Sequence, residues 1–209
     1  MCAECSDYPN LLHTMTEKPD FNQLYRIAEA QAGYFNTRQA HSAGYSRERL
    51  SDLTKRIQFI RVRRGVYRLP HFPASRFEDL FIAYLRTGPD SVISHESALS
   101  VYDLSDVLPS EIHVIMPRTG SRRRDGLQLH TNKISAEEIT RREGLPVTTP
   151  ARTIADVIIS GLGDELVRQA IVEAINKGIV TRTQLLEQAN RRQGIVKKKI
   201  QIILEELTS

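Results

Sequence analysis

Residues 57–70, IQFIRVRRGVYRLP, hold one glycine between two short runs in which apolar and charged residues alternate. A period of two predicts a β-strand on each side, and Arg64-Gly65 between the runs predicts the turn of a hairpin. A two-residue turn would place Arg61 directly opposite Arg68, whereas a bulged turn with Gly65 at positive φ would shift that register. The apolar side of such a hairpin has to be buried against other elements of the same domain.

Two helical patterns precede this hairpin. Residues 21–32 repeat apolar side chains at helical spacing, and the pattern ends at Gly33. A shorter pattern follows, with Asn36 or Thr37 as its N-cap and Gly44 at its end. The first pattern predicts a helix, and the second predicts a short helix that ends at a glycine turn.

A third helix is predicted at 46–56, with Ser46 as its N-cap. We expect it to bury Leu50, Leu53 and, one turn later, Ile57. Three helices followed by an arginine-rich hairpin are the order of elements in a winged helix-turn-helix. This is the fold that we predict for the N-terminal part of the chain.

The positive charge of the chain is concentrated around these elements. Residues 21–71 contain ten lysines and arginines but three acidic residues, a net charge of +7, whereas the whole chain carries +4. The rest of the chain is therefore net negative. A basic region confined to one quarter of a chain is typical of a surface that binds a polyanion such as DNA.

The hairpin supplies the clearest candidate contacts to DNA. No acidic residue lies between Asp52 and Glu78 in the sequence, so the hairpin arginines have no neighbouring counter-ion along the chain. An exposed edge hairpin that uses arginines for solubility is the alternative, although lysine and glutamate would serve that purpose equally well. The side chains that we expect to neutralise phosphate charge are Arg61, Arg63, Arg64 and Arg68.

The exposed face of the third helix is mixed in charge. Glu48 and Asp52 point outward and would repel phosphate, although a carboxylate can accept a hydrogen bond from the cytosine amino group. A solvated helix whose acids pair locally with Lys55 and Arg56 is the alternative. The residues that we assign to base reading are Arg47, Glu48 and Ser51.

Pro70 and Pro73 interrupt regular structure directly after the hairpin, and we place a domain boundary there. The expected organisation is a disordered leader at 1–17, a winged-helix DNA-binding domain at 18–71 and a second, C-terminal domain at 72–209. The second domain is predicted to be mixed α/β and to end in helices, so the fold class is α+β.

Several elements of the second domain can be predicted. Helices are expected after the N-caps Ser75, Ser94 and Thr149, and three more helical patterns occupy the rest of the chain. Strands are expected at 110–117 and 126–131, joined as a hairpin.

The loop between these two strands, PRTGSRRRDG at 117–126, is strongly basic. It could contact nucleic acid, hold a phosphate or dock an acidic partner, and a solvated hairpin tip is an equally open alternative. It lacks the spacing of a P-loop, so nucleotide binding has no support. Its candidate contact residues are Arg118, Arg122, Arg123 and Arg124.

No group of residues shows the convergence of roles that an active site needs, so we predict no catalytic residue, no cofactor and no metal site. Asp90 and Glu111-x-His113 imitate part of a nuclease pattern, but Asp90 lies in a Gly-Pro-Asp-Ser turn. Ser94 beside His95 is explained as a helix cap.

The leader carries Cys2 and Cys5, which we expect to be inert because a zinc site needs four ligands and only His13 lies near them in the sequence. The leader has no basic start followed by an apolar stretch, so no signal peptide is expected. The sequence contains no run of about 18 apolar residues. We therefore expect a cytoplasmic protein.

The chain resembles the AbiEi family of antitoxins, the DNA-binding partners in type IV abortive-infection toxin–antitoxin pairs. Three segments carry the resemblance, in this order: GYFNTRQAHSAGYSRERLSDLTKRIQFIRVRRGVYRLP, ISHESALSVYDL and GLPVTTPARTIADVI. The resemblance as a whole covers about residues 20–160. The resemblance implies a winged helix that binds inverted repeats in its own promoter and a second domain that counters a nucleotidyltransferase-like toxin.

Carried over position by position, the resemblance implies DNA contacts from Ser46, Arg47, Arg49, Arg56, Arg61, Arg63 and Arg64. Two alternative functions stay open. The chain could be a plain winged-helix transcription regulator whose second domain senses a ligand or dimerises. It could also be an enzyme that modifies the toxin by phosphoryl transfer, although no kinase or nucleotidyltransferase motif supports that reading.

Overall fold

The computed structural model describes residues 18–106, 109–117 and 124–207. The expected leader, with both cysteines, lies outside these ranges. Within them the chain is a mixed α/β protein with helices and two β-sheets. None of the described helices combines the length and the apolar character that crossing a membrane requires.

Three helices and a small antiparallel sheet form the N-terminal part. The helices are α1 (Phe21–Glu29), α2 (Thr37–Ser42) and α3 (Arg47–Lys55), and the strands are β1 (Tyr34–Asn36), β2 (Ile60–Arg63) and β3 (Val66–Arg68). The strand order is β1-β3-β2. The three helices and the β2–β3 hairpin lie where the sequence predicts them. Strand β1 is not predicted, because three residues are too few to show a period.

Side-chain hydrogen bonds explain where α2 and α3 begin. Asn36 and Gln39 form a capping box at the start of α2. Ser46 caps α3 by accepting a hydrogen bond from the backbone N–H of Arg49 at 3.2 Å. Both cap positions agree with the sequence prediction.

A small apolar core joins these helices to one face of the sheet. It includes Leu24, Phe35, Leu50 and Phe59, all of them buried. The expectation that Ile57 is buried is wrong, because its φ of +58° turns the chain after α3 and leaves the residue 74% exposed. Phe59 takes the inward position two residues later.

The hairpin has the bulged register. Arg61 pairs with Tyr67, and not with Arg68 as a two-residue turn would require, because a bulge lies between Arg61 and Arg63. Gly65 has a φ of +79°, a conformation that residues with a side chain rarely adopt. Arg61 and Arg68 therefore lie on opposite faces of the sheet, and the repulsion that direct pairing would cause does not arise.

The second face of this sheet packs against helix α4 (Glu78–Thr87). Tyr34 stacks on Phe81 with 4.9 Å between the ring centroids. Its hydroxyl donates a hydrogen bond to Glu78 Oε2 at 2.8 Å. The N-terminal helices and strands are thus fixed against the part of the chain that follows 70–73.

A five-stranded mixed sheet forms the centre of the C-terminal part. Its strands are β4 (Val92–Ile93), β5 (Ile112–Ile115), β6 (Leu127–His130), β7 (Ile139–Arg142) and β8 (Leu145–Thr148), and their order is β6-β5-β4-β8-β7. The helices are α5 (His95–Tyr102), α6 (Pro150–Ser160), α7 (Asp164–Asn176), α8 (Arg182–Arg192) and α9 (Gly194–Glu206), with a 3₁₀-helix at Ala136–Glu138. Helices α6 to α9 follow the last strand, as the sequence predicts.

Strands β5 and β6 are parallel, so the predicted hairpin between them is wrong. Ile112 pairs with Leu127, and Ile115 pairs with His130. Parallel neighbours need a connection that returns to the first end of the sheet. The alternation of apolar and polar residues within each strand does not show whether two neighbouring strands run parallel or antiparallel.

The predicted N-caps of the C-terminal helices are partly right. Thr149 precedes α6 as expected. Helix α4 begins later than predicted, and Ser75 instead accepts a hydrogen bond from the backbone N–H of Phe77 at 3.0 Å. Ser94 occupies the cap position of α5, but its hydroxyl contacts Nδ1 of His95 at 2.9 Å and does not bond the helix backbone.

Candidate nucleic-acid interface

A cleft of about 680 Å³ lies between α3, the start of α2 and the β2–β3 hairpin. We call it the basic cleft. Its basic side chains are Arg47, Lys55, Arg61 and Arg64, and its hydroxyl-bearing side chains are Thr37, Ser51, Thr54 and Tyr67. Helix α3 and the hairpin thus contribute to one surface.

The electrostatics of the basic cleft favour an anion. None of the residues that line it is acidic. Arg47, Arg61 and Arg64 are exposed and form no salt bridge with any residue that the structure describes. Positive charges that meet in a concave surface without internal counter-ions attract an anionic ligand from solution.

The tip of the hairpin is fixed against α2. The carbonyl oxygen of Gly65 accepts hydrogen bonds from the backbone N–H of Thr37 at 3.0 Å and from the Thr37 hydroxyl at 3.3 Å. These two hydrogen bonds therefore hold the hairpin tip at a fixed distance from α2.

The geometry of α3 decides which of its residues reach the cleft. Arg47, Ser51 and Lys55 follow one another at intervals of four residues, so their side chains lie on one side of the helix. Arg49 lies about 200° around the helix axis from Arg47. It lines a separate, largely apolar groove together with Leu53. Arg47 is therefore placed in the basic cleft, and Arg49 lies outside it.

Both acidic residues of α3 lie outside the cleft as well. Hydrogen bonds from its own backbone N–H and from the Ser46 hydroxyl lower the pKa of the Glu48 carboxyl. A carboxylate in the first turn also interacts favourably with the helix dipole. Asp52 lies 3.9 Å from Lys55, which is the local pairing that the sequence suggested. On the folded helix, the acidic residues of α3 therefore lie on a different face from the basic residues that line the cleft.

The other predicted contacts surround the cleft or lie away from it. Arg63 is exposed near the hairpin tip, and Arg56 is the exposed C-cap of α3. Arg68 lies on the opposite face of the sheet, where its guanidinium donates to the carbonyl of Phe72 and lies 6.0 Å from the centre of the Tyr34 ring. Arg68 is thus separated from the other hairpin arginines.

Three of the four candidate residues in the basic loop, Arg118, Arg122 and Arg123, lie outside the described residues. Arg124 is described, and its guanidinium donates a hydrogen bond to the carbonyl of Arg86 at 2.7 Å. It is therefore attached to the end of α4 and is not part of the basic cleft.

Sequence reasoning misses four polar members of the cleft as possible contacts, Thr37, Thr54, Lys55 and Tyr67. Thr37 is predicted as a cap, and Tyr67 as an apolar residue of a strand. The Tyr67 hydroxyl lies beside the arginines and is a suitable donor to a phosphate oxygen. The Thr37 hydroxyl already donates to the Gly65 carbonyl, and the Thr54 hydroxyl donates to the Leu50 carbonyl at 2.7 Å. The face of Tyr67 could have been found only from the bulged register, which brings it opposite Arg61.

The structure also brings together His95, His113 and His130 in the C-terminal part. The sequence predicts no metal site there, and the spacing of the three residues gives no signal, since each belongs to a different element. Burial, together with the neighbouring imidazoles, lowers the pKa of His95 to about 3 and that of His130 to about 4. Both rings are therefore neutral at pH 7.

Comparison with solved structures supports the mixed α/β architecture. The fold is similar to that of the RV2827C protein from Mycobacterium tuberculosis, with a TM-score of 0.50 and 15% sequence identity. The similarity covers 87% of this chain and 74% of that chain. At this identity it bears on the fold alone. No curated protein matches the sequence.

The sequence of the N-terminal part does match a protein family. The matching model is described as "Transcriptional regulator, AbiEi antitoxin". The match runs from α1 to just beyond β3 and includes every residue that lines the basic cleft. In its N-terminal part, at residues 22–70, the chain is therefore similar to the AbiEi antitoxin transcriptional regulators, as the resemblance of its sequence predicts.

Proposed function

We propose that this chain is a DNA-binding antitoxin that represses its own operon and neutralises a cognate nucleotidyltransferase-like toxin of a type IV abortive-infection pair. The observation that carries the proposal is the basic cleft, which lies within the part of the chain that matches the antitoxin regulator model. A cytoplasmic location belongs to the proposal, because the promoter DNA lies there.

In this proposal, α1 to α3 and the hairpin act as a winged helix-turn-helix. Helix α3 lies in the major groove with Arg47 and Ser51 towards the base edges. Arg61 and Arg64 of the hairpin lie along the adjacent phosphates, with Arg63 at the tip. The acidic residues of α3 stay outside the contact, so they do not oppose binding.

Two features support a preformed DNA-binding surface. The Thr37–Gly65 hydrogen bonds hold the hairpin at a fixed distance from the helices, which lowers the entropy lost on binding. The Ser51 hydroxyl lies among the basic residues and is suited to a phosphate or base contact, whereas the Thr54 hydroxyl donates to the Leu50 carbonyl at 2.7 Å. We expect two copies of the surface to occupy the two halves of an inverted repeat.

Removal of one hairpin arginine should reduce the salt dependence of DNA binding. We expect Arg64→Ala to weaken binding to the promoter of its own operon and to random DNA by similar factors. The slope of log K against log salt concentration should fall by about one, because one phosphate contact releases about one counterion whatever the base sequence. Fluorescence anisotropy over a series of salt concentrations measures the slope.

Arg49→Ala is the matched control for this experiment. It removes the same charge from an exposed position in the same part of the chain, but outside the basic cleft. Its salt slope should equal that of the wild type. If Arg64→Ala leaves the slope unchanged, or if both variants lower it equally, the cleft is not the surface that contacts phosphate.

Neutralisation of the toxin should be independent of DNA binding. Co-expression of this chain with the nucleotidyltransferase-like product of the adjacent gene should restore growth to the level of cells without that product. Arg64→Ala should restore growth equally well at matched protein levels, because in this proposal the C-terminal part counters the toxin. If the wild-type chain binds its promoter but does not restore growth, the antitoxin half of the proposal is wrong and a plain transcription regulator remains.

A further inference from the structure

Three histidine side chains meet beside the five-stranded sheet. One ring nitrogen from each of His95, His113 and His130 lies within 4.8 Å of the other two. Nδ1 of His113 and Nε2 of His130 are 3.2 Å apart. Two nitrogens that bind one tetrahedral zinc ion at about 2.05 Å are about 3.3 Å apart, so this pair already has the spacing of zinc ligands.

The fold sets the positions of the three rings. His113 of β5 and His130 of β6 lie on the same face of the sheet, because His130 pairs with Ile115, two residues beyond His113. His95 begins α5, and the N–H of the preceding Ser94 donates to the His113 carbonyl at 3.1 Å. The backbone N–H of His113 in turn donates to Ser97 Oγ at 2.9 Å. Three elements are thus joined around the cluster.

His95 has two properties of a ligand held in place. Its φ is +51°, a strained conformation for a residue with a side chain, and such residues concentrate at functional sites. Ser94 Oγ lies 2.9 Å from its Nδ1. When a hydrogen bond occupies one ring nitrogen, the other is oriented for a metal ion, so Nε2 of His95 is left as the donor.

A carboxylate completes the donor set. Glu96 Oε2 is buried and lies 2.9 Å from His113 Nδ1. The distance is that of an ion pair, and this oxygen has no hydrogen bond of standard geometry among the described residues. We infer that His95, His113 and His130 form a zinc site, with the Glu96 carboxylate as its fourth ligand.

A cation would resolve a conflict in the arrangement of these groups. His113 Nδ1 has both Glu96 Oε2 and His130 Nε2 within 3.2 Å, but it can carry only one proton. One of these two contacts therefore has no hydrogen atom between its partners, whereas a divalent cation attracts all of them at once. Imidazole nitrogen and carboxylate oxygen are donors that zinc accepts.

Zinc binding also requires a change in the orientation of two of the rings. The rings of His95 and His130 stack with 3.7 Å between centroids and 13° between planes. The lone pair of an imidazole nitrogen lies in the ring plane, so both planes have to contain the ion when it is bound. Zinc binding should therefore tilt the two rings apart. The inference does not depend on the proposed function, because the site lies outside the basic cleft.

Zinc titration of the full chain after treatment with a chelator tests the inference. We expect one ion per chain by isothermal titration calorimetry. At a free zinc concentration a hundred times the Kd, we expect a rise in Tm of about 5–10 °C. The experiment uses the Cys2→Ser/Cys5→Ser background, so that the leader cysteines cannot supply the site. In that background His130→Gln and His113→Gln should abolish both effects, and exposed His71→Gln should leave both unchanged.

Cobalt(II) provides a second measurement that needs no histidine variant. Four-coordinate cobalt gives strong visible absorption bands, whereas six-coordinate cobalt gives weak ones. Strong bands at one equivalent would support the site even if a histidine variant failed to fold. Absence of binding in the Cys2→Ser/Cys5→Ser chain, binding that persists in folded His130→Gln, or six-coordinate cobalt would overturn the inference. Loss of DNA binding by other variants would leave it unaffected.

Discussion

Arg152→Met should lower the free energy of unfolding by about 3–5 kcal/mol, the range found when one partner of a buried ion pair is removed. Arg152 lies on α6 and is completely buried. Methionine keeps much of the side-chain length, so the main loss is the charge and its hydrogen bonds. Urea unfolding at pH 7, followed by circular dichroism, measures the change.

The structure explains why this residue has so large an effect. The Nε of Arg152 donates to both carboxylate oxygens of Asp156, at 2.9 and 2.8 Å. Another of its nitrogens donates to Glu138 Oε2 at 2.6 Å. Burial raises the pKa of the Asp156 carboxyl, and the Arg152 guanidinium opposes that rise. Without Arg152, the nearest other cation among the described residues is Arg192 at 4.0 Å, so Asp156 must take up a proton or remain a poorly paired buried charge.

Two controls separate charge from volume. Arg168→Met makes the same substitution in a partly exposed ion pair with Glu206 and should cost less than about 1 kcal/mol. Arg152→Met combined with Asp156→Leu removes both buried charges and should be more stable than Arg152→Met alone. If the double variant is as unstable as the single one, an unpaired buried carboxylate is not the cause of the loss.

Part of this arrangement could be predicted from the sequence. Arg152 and Asp156 are four residues apart in a helix whose N-cap, Thr149, is recognisable. Their complete burial is not recognisable, because it depends on α5, α7, α8 and α9 packing around α6. The spacing of apolar residues shows which face of a single helix is buried. How many of its faces are covered by other helices depends on the whole fold.

In the candidate interface, too, the sequence predicts where the elements lie but not which face each side chain occupies. The positions of α3 and of the hairpin follow from caps and alternation, so Arg47 and Arg64 lie on the predicted helix and the predicted hairpin. Which face each side chain occupies depends on the phase of the helix and on one bulge in the hairpin. For this reason Arg49 and Arg68, which look equivalent to the others in the sequence, lie outside the cleft.

The histidine cluster could not be predicted from the sequence. His113 and His130 become neighbours because β5 and β6 are parallel, and the sequence instead suggests a hairpin. His95 joins them through the packing of α5 on β5. A site assembled from three elements in this way leaves no fixed spacing along the chain.

Gly33→Ala should destabilise the N-terminal part by about 2–4 kcal/mol, the combined effect of backbone strain and overpacking. Gly33 connects α1 to β1 with a φ of +89°. A Cβ atom built there would lie 2.4 Å from Cβ of Phe72. Because the clash is with Cβ, no rotation of the Phe72 ring can relieve it, and the backbone of the loop after β3 has to move.

That loop is held in place by several hydrogen bonds, so its movement is costly. The N–H of Leu69 donates to the Gly33 carbonyl at 3.0 Å, and the N–H of Phe72 donates to the Leu69 carbonyl at 3.1 Å. Arg68 also donates to the Phe72 carbonyl. Displacement of Phe72 therefore disturbs β3 and, through it, the hairpin that carries the basic cleft.

Gly161→Ala is the matched control for Gly33→Ala. Gly161 has nearly the same φ, +86°, but a Cβ atom there meets nothing within 4 Å. It should show the cost of positive φ alone, about 1 kcal/mol. Urea unfolding of both variants measures the difference, and DNA affinity should fall in Gly33→Ala but not in Gly161→Ala. Equal destabilisation by the two substitutions would mean that the loop yields freely, and that contact between Gly33 and Phe72 does not hold the hairpin in position.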